Sequence, residues 1–144
     1  KISYYLSTWL WHYKAGYGAD EDATRYDYNT FGATSVSTQH HHLDVYALMW
    51  VSEWLRLSEL SGNDVWREKA KAIWTNGCQI LSDGTLEING LIRPVGSQNE
   101  AFFECAWGGY PEKKRINDWL VAWPGAFRLE TMRNISDWGA LDNE

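Results

Sequence analysis

Three of the four histidines stand side by side in the stretch STQHHHLD, residues 37–44. Such a cluster could bind a metal ion, exchange protons with a substrate, or pack at the start of a helix. Three successive residues point about 100° apart on a helix and to alternate sides on a strand, so they cannot all reach one ion. The sequence therefore implies no metal and no cofactor. His41 is a candidate acid or base, and Gln39, His40 and His42 are candidates for contact with substrate hydroxyls.

Two aspartates, Asp44 and Asp118, each come just before an apolar helical run. Helix capping or favourable charge in the first turn is one explanation for both. The other is a catalytic base that stays ionised beside a cavity. Asp118 has the stronger claim to catalysis, because Asn117 could do the capping and leave the aspartate free to point inward.

Glu100 has two possible roles. It ends the sequence SQNE, residues 97–100, which is a capping box in front of an apolar run. It also lies beside Gln98 and Asn99, whose amides suit sugar hydroxyls, and near Trp107. Glu100 and Asp118 together are the carboxyl pair that we expect to do acid and base chemistry.

Aromatic side chains are unusually frequent, with ten Trp, eight Tyr and four Phe. Large aromatic side chains fill cores, but their flat faces also stack on sugar rings. Four tryptophans fall on apolar helix faces and are assigned to the core: Trp50, Trp54, Trp66 and Trp74. Three others are placed near a ligand: Trp107, Trp119 and Trp123.

The chain has 144 residues and a formal charge of −6. Its basic residues form no stripe that could neutralise phosphates, so we expect no nucleic-acid partner. No apolar run approaches the roughly 20 residues that span a bilayer, and we expect no membrane partner. Cys78 and Cys105 fit free thiols as well as one disulfide. These features favour the cytoplasm, with secretion left open.

Apolar periodicity predicts helices that alternate between one apolar face and apolar residues nearly all round. The connections 15–42 and 82–117 are long, whereas residues 61–64 form a short link with Gly62 as the C-cap of an αα-hairpin. Asn89-Gly90 predicts a small β-hairpin near 85–95, and Pro124 predicts a kink or a new helix. The predicted helices are 2–14, 43–60, 65–81 and 118–133.

This alternation is typical of outer and inner helices in a layered ring of αα-hairpins. Long connections would then gather at the end where inner helices begin, and helix N-termini there would favour anions and carboxylates. Four long stretches, FGATSVSTQHHHLDVYAL, SEWLRLSELSG, SDGTLEINGLIRPVGSQNEAFF and NDWLVAWPGAFRLETM, resemble the C-terminal part of bacterial six-hairpin glycosidase-like proteins. The resemblance covers about residues 30–133.

The resemblance implies an α/α toroid whose cavity handles a carbohydrate. We therefore expect an all-α domain over residues 1–144, the C-terminal portion of a larger toroid whose remaining segment or partner chain completes the ring. The expected function is part of a glycoside hydrolase that uses paired carboxylates on an oligosaccharide or a uronic-acid-containing glycan, with Arg93 available to a substrate carboxylate. Two alternatives stay open: a non-catalytic glycan-binding or toroid-completing module, and a polysaccharide lyase with a His or Tyr base.

Overall fold

The computed structural model describes residues 1–11, 29–37, 40–88, 90–103 and 119–135. Within these ranges the chain is helix-rich with small antiparallel sheets. The helices are α1 (Ile2–Ser7), a 3-10 helix (Tyr46–Trp50), α2 (Val51–Ser61), α3 (Val65–Cys78) and α4 (Trp123–Asn134). The strands are β1 (Thr34–Ser37), β2 (His40–Asp44), β3 (Glu87–Ile88), β4 (Leu91–Ile92) and β5 (Ala101–Phe103).

Helices α2 and α3 form the predicted αα-hairpin. Gly62 ends α2 in the left-handed conformation with φ of 64°, and its N–H donates to the Ser58 carbonyl at 2.9 Å. The Asn63 side chain accepts the N–H of Val65 at 3.1 Å, at the first turn of α3. A glycine that tolerates positive φ and an asparagine that caps the next helix thus reverse the chain within a few residues. The hairpin prediction is confirmed.

The all-α prediction is wrong in one respect, because β1, β2 and β5 form a three-stranded antiparallel sheet in the order β1-β2-β5. Asp44 of β2 lies opposite Thr34 on one side and Ala101 on the other. The helix predicted from residue 43 accordingly begins only at Tyr46, as a 3-10 turn. The chain therefore passes from the sheet into the helices just after Asp44.

Two further boundaries follow from local chemistry. Strands β3 and β4 form the hairpin expected near 85–95, with Ile88 opposite Leu91 and Gly90 at φ of 80°. Pro124 stands at the start of α4, where its missing N–H costs no helical hydrogen bond. A new helix beginning at Trp123-Pro124 is thus the correct alternative, and the described residues 119–122 precede it.

The N-terminal helix is shorter than the 2–14 predicted. After Ser7 the backbone leaves the helix, and the N–H of Trp11 donates to the Ala33 carbonyl at 2.9 Å. The N–H of Ser35 donates to the Trp9 carbonyl, also at 2.9 Å. Pairing with the chain around β1 thus satisfies backbone groups that a longer helix would have used. Residues 12–14 and most of the predicted loop 15–42, up to residue 28, lie outside the described residues.

Two of the predicted core tryptophans, Trp54 and Trp66, are buried, and Trp50 and Trp74 are partly buried and pack against the core.

The segment before β1 is fixed to α3 by Asn76, whose amide donates to the carbonyls of Asn29 and Phe31 at 2.8 and 3.2 Å. In the described part of the chain no helix is long and apolar enough to cross a membrane. The core side chains are Leu10, Ala33, Val45, Ala47, Leu48, Val51, Trp54, Leu55, Trp66, Ala70, Ile73, Ile80 and Ile88.

Candidate functional site

Asp44 lies at the point where β2 ends and the 3-10 helix begins. Its Oδ1 accepts the N–H of Tyr46 at 2.7 Å. The hydroxyl oxygen of Thr34, the residue opposite Asp44 in β1, accepts the next N–H, that of Ala47, at 3.0 Å. Two side chains from neighbouring strands therefore satisfy donors that the helix itself leaves open. Asp44 therefore stabilises the start of the 3-10 helix from the position before its N-cap, Val45.

The Asp44 carboxyl group is nevertheless unusual, because it is 1% exposed. Its second oxygen, Oδ2, is buried and has no hydrogen-bond partner within the described parts of the chain. Burial disfavours the charged form and raises the pKa of Asp44 to about 8, opposed by the bond from Tyr46 and assisted by the negative charge of Glu100. Burial thus favours the protonated form of Asp44 at pH 7, and a role as an ionised base stays a prediction that its burial disfavours.

Glu100 is the second carboxyl group of this site, and it is half-buried rather than buried. The residues after it form strand β5, so the capping-box explanation is wrong. Its backbone N–H donates to the carbonyl of Trp119 at 3.0 Å. The next pair, Asn99 and Leu120, forms an antiparallel bridge. This backbone pairing places Glu100 beside Trp119, a residue that is 67% exposed.

Tyr46 and Trp123 stack face to face next to the carboxyl pair. Their ring centroids are 4.7 Å apart with an interplanar angle of 11°. Burial raises the pKa of Tyr46, and the charges of Asp44 and Glu100 raise it further. Three ionisable groups from β2, the 3-10 helix and the segment before β5 thus act on one another electrostatically. Trp123 contributes a half-buried aromatic surface at their edge.

Gln98 and Asn99, predicted to bind substrate, are 3% and 1% exposed. The Gln98 amide donates to the Asn99 carbonyl at 3.0 Å, and the Gln98 carbonyl accepts the N–H of Val121 at 2.9 Å. Their described contacts hold the segment that carries Glu100 against the chain leading into α4. A sugar contact by either side chain stays a prediction, and burial disfavours it.

The three histidines lie on β2, where the structure describes their backbone. Packing at a helix start is therefore the wrong explanation for His40, His41 and His42, and their predicted roles toward a substrate stay predictions. Three other predicted site residues lie outside the described residues: Gln39, Trp107 and Asp118. Arg93, proposed above to be available to a substrate carboxylate, is 8% exposed, so such a group would not reach it without a rearrangement.

A separate groove of about 840 Å³ lies between α1, α2 and the end of α4. Its walls include Leu6, Trp50 and Leu60, and the charged pair at its rim, Arg56 and Glu59, is already joined at 2.7 Å. None of the predicted site residues lines it. Acid or base chemistry is therefore assigned to the Asp44 and Glu100 site and not to this groove.

The sequence did not predict that Asp44 and Glu100 lie close together. The two residues are separated by 55 intervening residues, and the β2 to β5 register brings them together.

The described residues hold no group of three or more His, Cys, Asp or Glu side chains that could share a metal ion. No protein-family model, no curated protein and no solved structure matches the chain. Inference about function therefore depends on the geometry of this site.

Proposed function

We propose that this chain forms part of a carbohydrate-active enzyme, a glycoside hydrolase that acts on an oligosaccharide or a uronic-acid-containing glycan. The observation that carries the proposal is the pair of interacting carboxyl groups, Asp44 and Glu100, next to aromatic side chains at the junction of sheet and helices. A glycoside hydrolase uses two catalytic carboxyl groups, and we assign one of these roles to Glu100. Aromatic surfaces beside such a pair suit the C–H faces of sugar rings.

Glu100 is the carboxyl group assigned to contact with substrate. It is half-buried, whereas Asp44 is almost completely enclosed. Because Glu100 is the more accessible of the two carboxyl groups, we assign it the role of base or nucleophile. The second catalytic carboxyl group in this proposal is Asp118, as predicted from the sequence.

Asp44 acts as a positioning residue. Its proton keeps a second negative charge away from Glu100, and its bond to the Tyr46 N–H fixes the start of the helix beside the site. Above pH 8 Asp44 ionises, and two neighbouring carboxylates then repel each other. We therefore expect turnover to fall as the pH rises through about 8.

The toroid is part of the same proposal. An αα-hairpin with a short link, and a further helix that begins beside the carboxyl pair, are elements such a ring would need. We propose that a remaining toroid segment or a partner chain completes it.

The test is hydrolysis of a broad glycan panel by the completed protein, with the remaining toroid segment or partner chain present, and by its Glu100→Gln variant. Loss of turnover by more than about a hundredfold, with binding and folding retained, supports the proposal, since general acid and base catalysis alone is worth about that much. Glu87→Gln is the matched control, because Glu87 is exposed on β3. No cleavage of any glycan by the completed protein, with its remaining toroid segment or partner chain present, contradicts the proposal.

A non-catalytic glycan-binding module is the second candidate, and the exposed Trp119 favours it. In that case Trp119→Ala weakens glycan binding, while Glu100→Gln leaves binding unchanged and no cleavage is detected. The lyase alternative is weaker for a tyrosine base, because the raised pKa of Tyr46 keeps its hydroxyl protonated.

A further inference from the structure

Helix α4 has polar side chains on its buried side and apolar side chains on its outer side, in addition to Trp123 and Phe127, which pack against the core. Its buried side includes Arg128 and Thr131, which are 7% and 1% exposed. Its outer side includes Leu129 and Met132, which are 68% and 44% exposed. A surface helix normally directs apolar side chains inward and polar side chains outward. The outer side of α4 therefore has the character of a contact surface.

The polar inner side is held by a specific bond. Arg128 Nη2 donates to the carbonyl of Gly77 at 2.5 Å, near the C-terminal end of α3. This bond satisfies one of the carbonyls that a helix end leaves open. It fixes the rotation of α4 about its axis, so the outward position of Leu129 is set by the fold.

Two charged residues lie beside the exposed apolar side chains on α4. Glu130 and Arg133 are both exposed and lie three residues apart, on the same side of α4. No ion pair joins either of them to another residue in the described ranges. One acidic and one basic side chain at this spacing form a self-complementary pattern.

We propose that the outer face of α4 is the contact between two copies of this chain, packed antiparallel about a two-fold axis. In a two-fold contact, residue i meets residue j of the other copy, and j meets i. An axis at the level of residues 131 and 132 brings Glu130 against Arg133 of the second copy, twice. The same arrangement brings Leu129 of each copy next to Met132 of the other.

The extent of this face determines how strong the contact is. Helix α4 has 12 residues and is about 18 Å long. A standard interface takes about 800 Å² from each partner, which is more than one face of so short a helix supplies. The dimer is therefore weak and depends on protein concentration.

Analytical ultracentrifugation of the full chain over a wide concentration range tests the proposal. The expected mass rises from 16.6 kDa toward twice that value as concentration increases. Leu129→Lys is expected to weaken association at least tenfold. The matched control, Leu91→Lys, changes an equally exposed leucine on β4 and is expected to leave association unchanged.

Charge exchange tests the orientation. Glu130→Arg alone and Arg133→Glu alone each place like charges opposite each other and weaken association, most strongly at low salt. The double variant E130R/R133E restores the opposite charges and is expected to restore association. The four substituted positions are all exposed: Leu91, Leu129, Glu130 and Arg133. Circular dichroism checks that each variant stays folded.

Three results would overturn the proposal. A chain that stays at 16.6 kDa at every concentration has no such contact. Association that survives Leu129→Lys but is lost in Leu91→Lys uses the β-hairpin instead. A double variant no better than the two single variants excludes the antiparallel pairing. None of these results depends on whether the chain cleaves glycans.

Discussion

Asp44→Asn is expected to change how the stability of this protein depends on pH. The pKa of Asp44 moves from 3.8 to about 8 on folding. Between those values the folded state binds a proton that the unfolded state has lost. The free energy of unfolding contributed by this group is therefore highest below pH 3.8, and it decreases as the pH rises toward 8.

The size of this decrease in the free energy of unfolding follows from the one proton by which the folded and unfolded states differ between pH 3.8 and about 8. One pKa unit corresponds to about 1.4 kcal/mol, so within this window the contribution of Asp44 falls by about 1.4 kcal/mol per pH unit. From pH 5 to pH 7 the decrease is about 3 kcal/mol, which is a large part of the stability of a typical domain. Asparagine keeps an oxygen that can accept the Tyr46 N–H but carries no titrating proton. The contribution of position 44 to the free energy of unfolding therefore does not decrease with pH in the variant.

The assay is urea-induced unfolding at pH 5, 6 and 7, followed by tryptophan fluorescence. The change in the free energy of unfolding between pH 5 and pH 7 is compared between the wild type and Asp44→Asn. Any cost of the asparagine amide that does not depend on pH cancels in that comparison. Asp64→Asn is the control, since the Asp64 side chain is 80% exposed. If the wild type and Asp44→Asn show the same change between pH 5 and pH 7, the burial argument for Asp44 is refuted.

Two further substitutions test how the segment before β1 is fixed to α3. Gly32→Ala puts a Cβ into the backbone of α3 at a φ of 86°, and we expect a loss of more than about 2 kcal/mol in urea unfolding. Gly125→Ala meets no atom within 4 Å and should cost nothing measurable. Asn76→Asp replaces an amide that donates to the carbonyls of Asn29 and Phe31 with a group that cannot donate when ionised. We expect a loss of about 1–3 kcal/mol, larger at pH 7 than at pH 4, and equal losses at both pH values would contradict that reason.

Elements fixed by local signals were predicted from the sequence. Periodic apolar residues with Gly62 between them were enough for the α2 and α3 hairpin, and Asn89-Gly90 was enough for the β3 and β4 hairpin. Pro124 correctly marked a helix start, although a kink was the other possibility. In each case the deciding interactions lie within a few residues of one another.

The three-stranded sheet was not predicted, because its stability depends on partners far apart in the chain. Strand β2 contains three successive histidines, a pattern without the alternation of apolar and polar residues that signals a strand. Its pairing with β5 joins residues 43 and 44 to residues 101 and 103. The same distance hid the candidate site, since the burial of Asp44 and its approach to Glu100 both depend on that pairing.

The backbone pairing of residues 98–100 with residues 119–121 has a consequence for protein engineering. Glu100 and Trp119 are joined directly by a main-chain hydrogen bond, so their spacing does not depend on the length of the chain that connects them. The Trp119 side chain can therefore be exchanged for another while the two backbone segments keep their relative position. The protein therefore offers a backbone frame on which a different side chain can be placed at position 119, beside Glu100.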